Sequence, residues 1–124
     1  MMLSMAATQQ EYIKALNALQ YALSLPRDDI TRDASIQRFE FCVELAWKSA
    51  RKLMGTASTT PKQVVREMAR AGLIDDVELW LEAIDHRNLT SHTYNEELAD
   101  RVYRFAMAFL PEGIVLRERL EKMS

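Results

Sequence analysis

The sequence predicts an all-α protein, an up-and-down four-helix bundle with an additional short helix, formed by one domain of residues 1–124. Apolar residues recur every three or four positions along nearly the whole chain, which is the period of an amphipathic helix. Runs of alternating β-branched residues, which are typical of strands, do not occur. The chain has 124 residues, 48% apolar and 27% charged, which is the size and composition of a single domain with its own core.

Helix one is expected between a capping box and a proline. Thr8 can cap the first turn together with Glu11, and an apolar stripe then continues until Pro26. The segment 28–33 is polar and resembles a turn. The sequence therefore predicts a first helix that ends before Pro26, followed by a polar connection.

Helix two is the longest element that the pattern predicts, from about Asp33 to Met54, and it ends before Gly55. A second apolar strip lies beside its inward stripe: Phe41, Cys42 and Leu45. Because one neighbouring helix cannot cover both strips, this surplus predicts a homodimer through helix two or helix four. Helix three or the C-terminal tail could cover the strip instead.

Helix three is expected to be short, whereas helix four is expected to be one of the four long helices of the bundle. Helix three begins at Pro61 and stops at Gly72, which are favoured first-turn and terminating residues. Asp75 with Glu78 resembles the cap of helix four. We expect helix three to be the additional element of the bundle.

Helix five is expected to start with a cap formed by Thr93 and Glu96. Pro111 should kink or end it, because proline lacks the backbone N–H that a helix interior requires. The segment 112–123 is helix-prone and carries apolar residues for packing.

Composition excludes several classes of function. Sixteen Lys and Arg against eighteen Asp and Glu give a net charge of −2, so nothing in the overall charge indicates a polyanion binder. The single cysteine, Cys42, excludes an intrachain disulfide framework and a multi-cysteine zinc site, and it is expected to be a buried, inert thiol. The three glycines form no phosphate-binding array. Neither a leader in Met1–Ala7 nor a membrane span is indicated, so a cytoplasmic protein is expected.

The sharpest local feature is the run Arg87-Asn88-Leu89-Thr90-Ser91-His92-Thr93-Tyr94, where the apolar face of helix four meets polar side chains. In a continuous helix, Arg87 and His92 would point about 140° apart, but a break near Ser91 would let them converge. Histidine exchanges protons near neutral pH and arginine offers a fork of donors to phosphate, so the pair suits a phosphodiester. The competing interpretation is that Arg87 is an ion-pair partner of Glu40 or Glu44.

Other polar residues favour structural roles. Glu82 and His86 lie one helical turn apart, but they are too few for a metal site. Trp47 and Trp80 lie on apolar stripes, and we expect them to be core anchors rather than a platform for stacked bases.

The run IQRFEFCVELAWKSARKL at 36–53, together with RNLTSHTY at 87–94, resembles the HEPN-type nucleotidyltransferase substrate-binding proteins. The similarity extends to the 61–72 helix and to the LWLEAIDHRN run. It implies a dimeric helical bundle encoded beside a small nucleotidyltransferase. Members are toxins of toxin-antitoxin pairs, or substrate-binding subunits of two-component nucleotidyltransferases.

The resemblance assigns roles to the motif residues. Arg87, Asn88 and His92 match the HEPN signature, which implies metal-free cleavage of RNA without a cofactor, at a site assembled across the dimer. Tyr94 matches an extension in which the partner enzyme attaches AMP to the tyrosine and silences the nuclease. The partner and the dimer would form a heterotetramer or a larger assembly.

One observation leaves alternatives open. The pI near 5.7 gives little long-range attraction for RNA, so local cations would have to supply it. The candidates for a basic groove are Lys48, Arg51, Lys52, Arg101 and Arg104. The alternatives are a non-catalytic subunit that holds a nucleotide or polynucleotide for the transferase, and a structural adaptor in which Arg87 only forms an ion pair.

Overall fold

The computed structural model describes residues 7–124, and these residues contain five α-helices and one short 3-10 turn but no strand. The elements are α1 (Ala7–Ser24), α2 (Asp29–Met54), α3 (Pro61–Arg70), α4 (Val77–Asn88), the 3-10 turn (Thr90–His92) and α5 (Glu96–Met123). The prediction of an all-α bundle with an additional short helix is confirmed. The expectation about a leader falls largely on residues 1–6, which lie outside the described residues.

The bundle is built around α2 and α5, the two longest helices. α1 packs on both of them, α4 closes the other side, and α3 packs against α4 and α2. Trp80 early in α4 meets Phe109 with ring centroids 5.0 Å apart, whereas His86 later in α4 stacks on Phe105, earlier in α5. α4 and α5 are therefore antiparallel. None of the helices in residues 7–124 combines the length and apolar character that crossing a membrane requires.

The start of α1 differs from the predicted capping box. Thr8 is already helical and buried, and its hydroxyl accepts a hydrogen bond from Lys52 Nζ at 2.7 Å. The prediction that Thr8 caps the helix with Glu11 is therefore wrong. This bond joins the start of α1 to the end of α2, so the two helices run in opposite directions.

α2 begins one turn earlier than predicted. Asp28 is the N-cap: its carboxylate accepts from Thr31 N at 2.8 Å, and the Thr31 hydroxyl accepts from Asp28 N at 2.9 Å. The interpretation of 28–33 as a turn is thus wrong, because this polar segment supplies a reciprocal cap and the first helical turn. The predicted end is confirmed, since Gly55 adopts the left-handed conformation with φ of 66°.

The caps of the later helices are displaced by one or two residues. α3 begins at Pro61 as predicted. Asp76, rather than Asp75, caps α4 by accepting from Leu79 N at 3.0 Å. Asn95, rather than Thr93, caps α5 by accepting from the backbone N–H groups of the first turn. Neighbouring polar residues compete for each cap, and the chain geometry decides which one is used.

α5 does not end at Pro111 but continues through it to Met123. The apolar stripe is maintained beyond the proline, and the helix backbone comes close to α1 at Gly113, whose carbonyl accepts a hydrogen bond from the Tyr12 hydroxyl at 2.7 Å. The tail that the sequence separates as helix-prone is therefore the second half of α5. Burial on this stripe outweighs the one hydrogen bond that proline removes.

Only part of the second apolar strip of α2 is left exposed by the other helices. Cys42 is fully buried in the core, and burial raises the pKa of its thiol to about 12. The expectation of a buried thiol is confirmed. Phe41 remains 48% exposed, with Leu45 half-buried beside it. The exposed part of the strip is thus smaller than the sequence suggests, and the homodimer remains a prediction.

Candidate functional site

The motif run lies where α4 ends and the chain turns into α5. The break predicted near Ser91 falls two residues earlier, because α4 ends at Asn88 and Leu89 is its C-cap. The Thr90 hydroxyl donates to the carbonyl of Arg87 at 2.8 Å, which satisfies a carbonyl that the helix end leaves free. The 3-10 turn then places His92 on the surface.

Arg87 is held against α2. Its Nε donates to Glu44 Oε1 at 2.7 Å, and its Nη2 lies 3.6 Å from Glu40 Oε2, beyond hydrogen-bonding distance. The ion pair that the sequence offers as the competing interpretation is therefore present. This ion pair leaves other donors of Arg87 available, because a guanidinium has five N–H donors and 29% of this side chain is exposed.

Glu44 combines the ion pair with Arg87, one of the two that the sequence offers, with two polar contacts on its own helix. Besides Arg87 Nε, it accepts from Trp47 Nε1 at 3.4 Å and pairs with Lys48 Nζ at 3.3 Å. Burial opposes ionisation of this carboxyl, but the hydrogen bonds from Arg87, Trp47 and Lys48 more than compensate and lower its pKa. From the sequence, Glu44 can be read as an i, i+4 partner of Lys48 and as one of two possible partners of Arg87, which lies 43 residues away. The contact with Trp47 is not predicted.

His92, Asn88 and Tyr94 are all exposed, and Tyr94 is 85% exposed. The His92 and Tyr94 rings approach edge to face, with centroids 6.3 Å apart. The expectation that the Tyr94 phenol is accessible to solvent is met. Within residues 7–124 of one chain, no hydrogen bond joins Arg87 to His92. The turn brings the two residues to one end of α4, and it leaves their side chains separate.

His86, the other histidine, has a packing role. Its ring stacks on Phe105 at 4.1 Å with 7° between the planes, and its Nδ1 lies 2.8 Å from the carbonyl oxygen of Glu82. The contact with Glu82 is thus made to the backbone and not to the carboxylate. Among the described residues, no group of three or more potential metal ligands is found.

The five cations expected to line one groove are divided between two places. Lys48, Arg51 and Lys52 line a pocket of about 370 Å³ between α1, the end of α2 and the loop that follows it. Arg101 and Arg104 are exposed on α5 and do not line this pocket. Of the tryptophans, Trp80 is a core anchor as predicted, whereas Trp47 is half-buried and lines the same pocket.

Comparison with known proteins places these features in a family. A protein of Haemophilus influenzae named probable ribonuclease HepT is 39% identical over 107 residues, covering 80% of this chain and 73% of its own. The crystal structure of ttk003001694 from Thermus thermophilus matches with a TM-score of 0.82 and 34% identity, over 88% of this chain and 98% of that one.

A second solved structure, HI0074 from Haemophilus influenzae, is described as the fold of a substrate binding domain of a nucleotidyltransferase. It matches with a TM-score of 0.79 and 31% identity, over 91% of this chain and 98% of that one. The model of the family described as nucleotidyltransferase substrate binding protein like matches residues 8–122. The chain therefore belongs to the nucleotidyltransferase substrate binding protein-like family.

Proposed function

We propose that this protein is the toxin of a toxin-antitoxin pair, a metal-independent endoribonuclease in which Arg87, Asn88 and His92 form the catalytic set. The observation that carries the proposal is that a fixed arginine and an exposed histidine lie at the same end of α4. Glu44 holds Arg87 in place while leaving most of its donors free, and the 3-10 turn presents His92 to solvent. The name of the Haemophilus influenzae relative, probable ribonuclease HepT, agrees with this assignment.

The chemistry needs only the RNA and these side chains. The ribose 2′-oxygen attacks the adjacent phosphorus and forms a new P–O bond, and the bond from phosphorus to the 5′-oxygen breaks. His92 takes the proton of the 2′-hydroxyl or returns one to the leaving oxygen, while Arg87 stabilises the charge on the phosphorane. Asn88, the last residue of α4, orients one of these groups. The products are a 2′,3′-cyclic phosphate and a 5′-hydroxyl.

Each chain contributes one such histidine, but the reaction has two proton transfers, one from the 2′-hydroxyl and one to the leaving 5′-oxygen. With two histidines, one can act as the general base and the other as the general acid. We therefore propose that a homodimer brings two copies of the site together. Phe41 and Leu45, with Ala15 of α1, line an open apolar groove of about 470 Å³ that also borders Glu44. The groove thus adjoins the residue that holds Arg87. Light scattering should give about twice the chain mass of 14.3 kDa, and a monomer at all concentrations would contradict this part of the proposal.

We further propose that a small nucleotidyltransferase silences the nuclease by attaching AMP to Tyr94. The phenol oxygen would attack the α-phosphorus of ATP, form a P–O bond and release diphosphate. The high exposure of Tyr94 allows a partner enzyme to reach it, and its ring neighbours His92. The added phosphate would place bulk and negative charge beside His92 and would repel the RNA backbone.

The test of silencing is intact-mass measurement after incubation with the partner and ATP. We expect AMP additions that map to Tyr94 and are absent in Tyr94→Phe. The same variant should cleave RNA normally without the partner, because a phenol is a poor proton carrier at neutral pH. AMP on a different residue would contradict the assignment, and loss of cleavage in Tyr94→Phe would make the tyrosine catalytic.

The test of catalysis compares Arg87→Ala, Asn88→Ala and His92→Ala with wild type on RNA in the presence of a chelator. Loss of His92 should lower the rate by about 10²-fold or more, the usual contribution of a general acid or base. His86→Phe is the matched control, since it removes the other histidine and keeps a ring against Phe105. Equal loss in His86→Phe and His92→Ala would indicate a folding effect and would contradict the proposal.

The second candidate function is a non-catalytic subunit that holds the substrate of a nucleotidyltransferase. It is favoured by the description of HI0074 as a substrate binding domain and by the ion pair of Arg87 with Glu44, which gives the arginine a role without chemistry. In this case the pure protein would bind RNA or nucleotide and leave it intact. The Arg87→Ala substitution would lower the stability of the protein and nothing else.

A further inference from the structure

The pocket at the end of α2 has a composition that neither the motif nor the ion pair of Arg87 explains. It lies between the start of α1, the last turns of α2 and the loop before α3, with a volume of about 370 Å³, which is within the range of small-molecule sites. Its lining is three cations, two hydroxyl side chains and one aromatic ring: Lys48, Arg51, Lys52, Thr8, Thr59 and Trp47.

Two of the cations have no acidic partner among residues 7–124. Lys52 Nζ contacts the hydroxyl of Thr8, and Arg51 Nε donates to the carbonyl of Ser58 at 2.7 Å. These neutral oxygens orient the side chains without neutralising them. In a protein whose net charge is −2, such a pair of uncompensated cations in a concave site attracts an anion.

The aromatic ring defines the rest of the ligand. Trp47 is half-buried, which fixes its orientation, and its Nε1 is held by Glu44. The amine of Lys48 lies 5.8 Å from the ring centroid and pairs with Glu44 at 3.3 Å, so a phosphate is left to Arg51 and Lys52. A flat ring beside two fixed cations matches a heterocyclic base joined to a phosphate, since bases stack on tryptophan and phosphates bind Lys and Arg.

We propose that this pocket binds a nucleoside phosphate, with the base on Trp47 and the phosphate on Arg51 and Lys52. The nucleoside phosphate is either a free nucleotide or one residue of a single-stranded RNA. Because Trp47 and Arg87 share the carboxylate of Glu44, a strand engaged at Arg87 would pass close to the pocket. The site would then supply the local attraction for RNA that the acidic pI does not.

The inference is independent of the ribonuclease proposal, because it concerns binding and is tested without cleavage. The full-length protein is titrated with 5′-AMP, with inorganic phosphate and with a 5′-phosphorylated 2′-O-methyl RNA pentamer, which cannot be cut by a 2′-hydroxyl mechanism. Tryptophan fluorescence reports on Trp47, since Trp80 is 1% exposed and out of reach of a ligand. Calorimetry gives the affinity of variants that lack Trp47.

We expect quenching by AMP or by the pentamer at concentrations at which inorganic phosphate has no effect. Lys52→Gln, which keeps a donor for Thr8 but removes the charge, should weaken binding about tenfold. Trp47→Leu should weaken it by a similar factor, the value of one stacked base. Lys122→Gln is the matched control, because it removes the same charge from the last turn of α5, outside the pocket, and it should bind like wild type.

The outcomes separate the two sources of the ligand. Binding of AMP without the pentamer assigns a free nucleotide, and binding of the pentamer at least as tightly as AMP assigns an RNA residue. Absence of both, equal weakening by Lys52→Gln and Lys122→Gln, or affinity for phosphate equal to that for AMP would overturn the proposal. Failure of RNA cleavage with binding intact would contradict the ribonuclease alone.

Discussion

The contact between Arg87 and Glu44 can be tested by a double-mutant cycle with Glu44→Gln, Arg87→Met and the double variant. Hydrogen bonds between charged groups contribute about 1.5–3 kcal/mol to stability, and the value falls with exposure to solvent. The two side chains are 29% and 26% exposed, and Nε donates to Oε1 at 2.7 Å. We therefore expect a coupling free energy of about 1 kcal/mol from urea unfolding followed by circular dichroism at neutral pH.

Glu40 provides the matched control on the same helix, one turn earlier. Its Oε2 lies 3.6 Å from Arg87 Nη2, so the Glu40→Gln cycle should give a coupling free energy of only about 0–0.5 kcal/mol. The pKa of Glu44 is lowered in the folded state, so its contribution should be complete above the unfolded pKa of about 4.3 and be lost as the pH falls through the folded value. A coupling with Glu44 no larger than that with Glu40 would refute the account of how Arg87 is held.

Three further predictions concern the bundle. Gly113→Ala should lower the free energy of unfolding in urea by about 1 kcal/mol, because the added Cβ would lie 3.0 Å from Leu16 Cδ1 and overpacking outweighs the gain in helix propensity; a more stable variant would contradict this. Cys42 should not react with a thiol reagent at about pH 8 until the protein is unfolded, because burial raises its pKa to about 12; rapid reaction of the folded protein would show that it is accessible. Arg32 lowers the pKa of the Glu96 carboxyl, so Glu96→Gln should lower the melting temperature at neutral pH. The variant should also lose less stability than the wild type below about pH 5. Identical pH profiles of the variant and the wild type would indicate that the pair contributes nothing.

The sequence predicts the helical class and most helix faces because burial repeats with the helical period. It places boundaries less well, because more than one residue able to cap lies near each helix start: Asp28, Asp29 and Asp33 at α2, and Thr93 and Asn95 at α5. The path of the chain then selects Asp28 and Asn95. Pro111 is a local signal for an interruption, but packing around Gly113 continues the helix. Local patterns are therefore overruled where tertiary burial opposes them.

The candidate site is likewise only partly predictable from the sequence. The run from Arg87 to Tyr94 is contiguous, so its chemistry can be recognised from sequence, and the exposure of Tyr94 follows from the break in the helix. The role of Glu44 could be offered only as one of two possible ion pairs, because its partner lies on another helix. The pocket beside Trp47 needs contributions from three separate segments, and no local pattern brings those together.

We propose that Arg87 and His92 cleave RNA through the ribose 2′-hydroxyl without a metal. The most direct measurement is mass spectrometry of the product ends after the purified protein, without its partner, is incubated with RNA and a chelator. We expect fragments with a 2′,3′-cyclic phosphate and a 5′-hydroxyl, and no products from DNA of the same sequence. Fragments with a 5′-phosphate, cleavage only after magnesium is added, or intact RNA would contradict it.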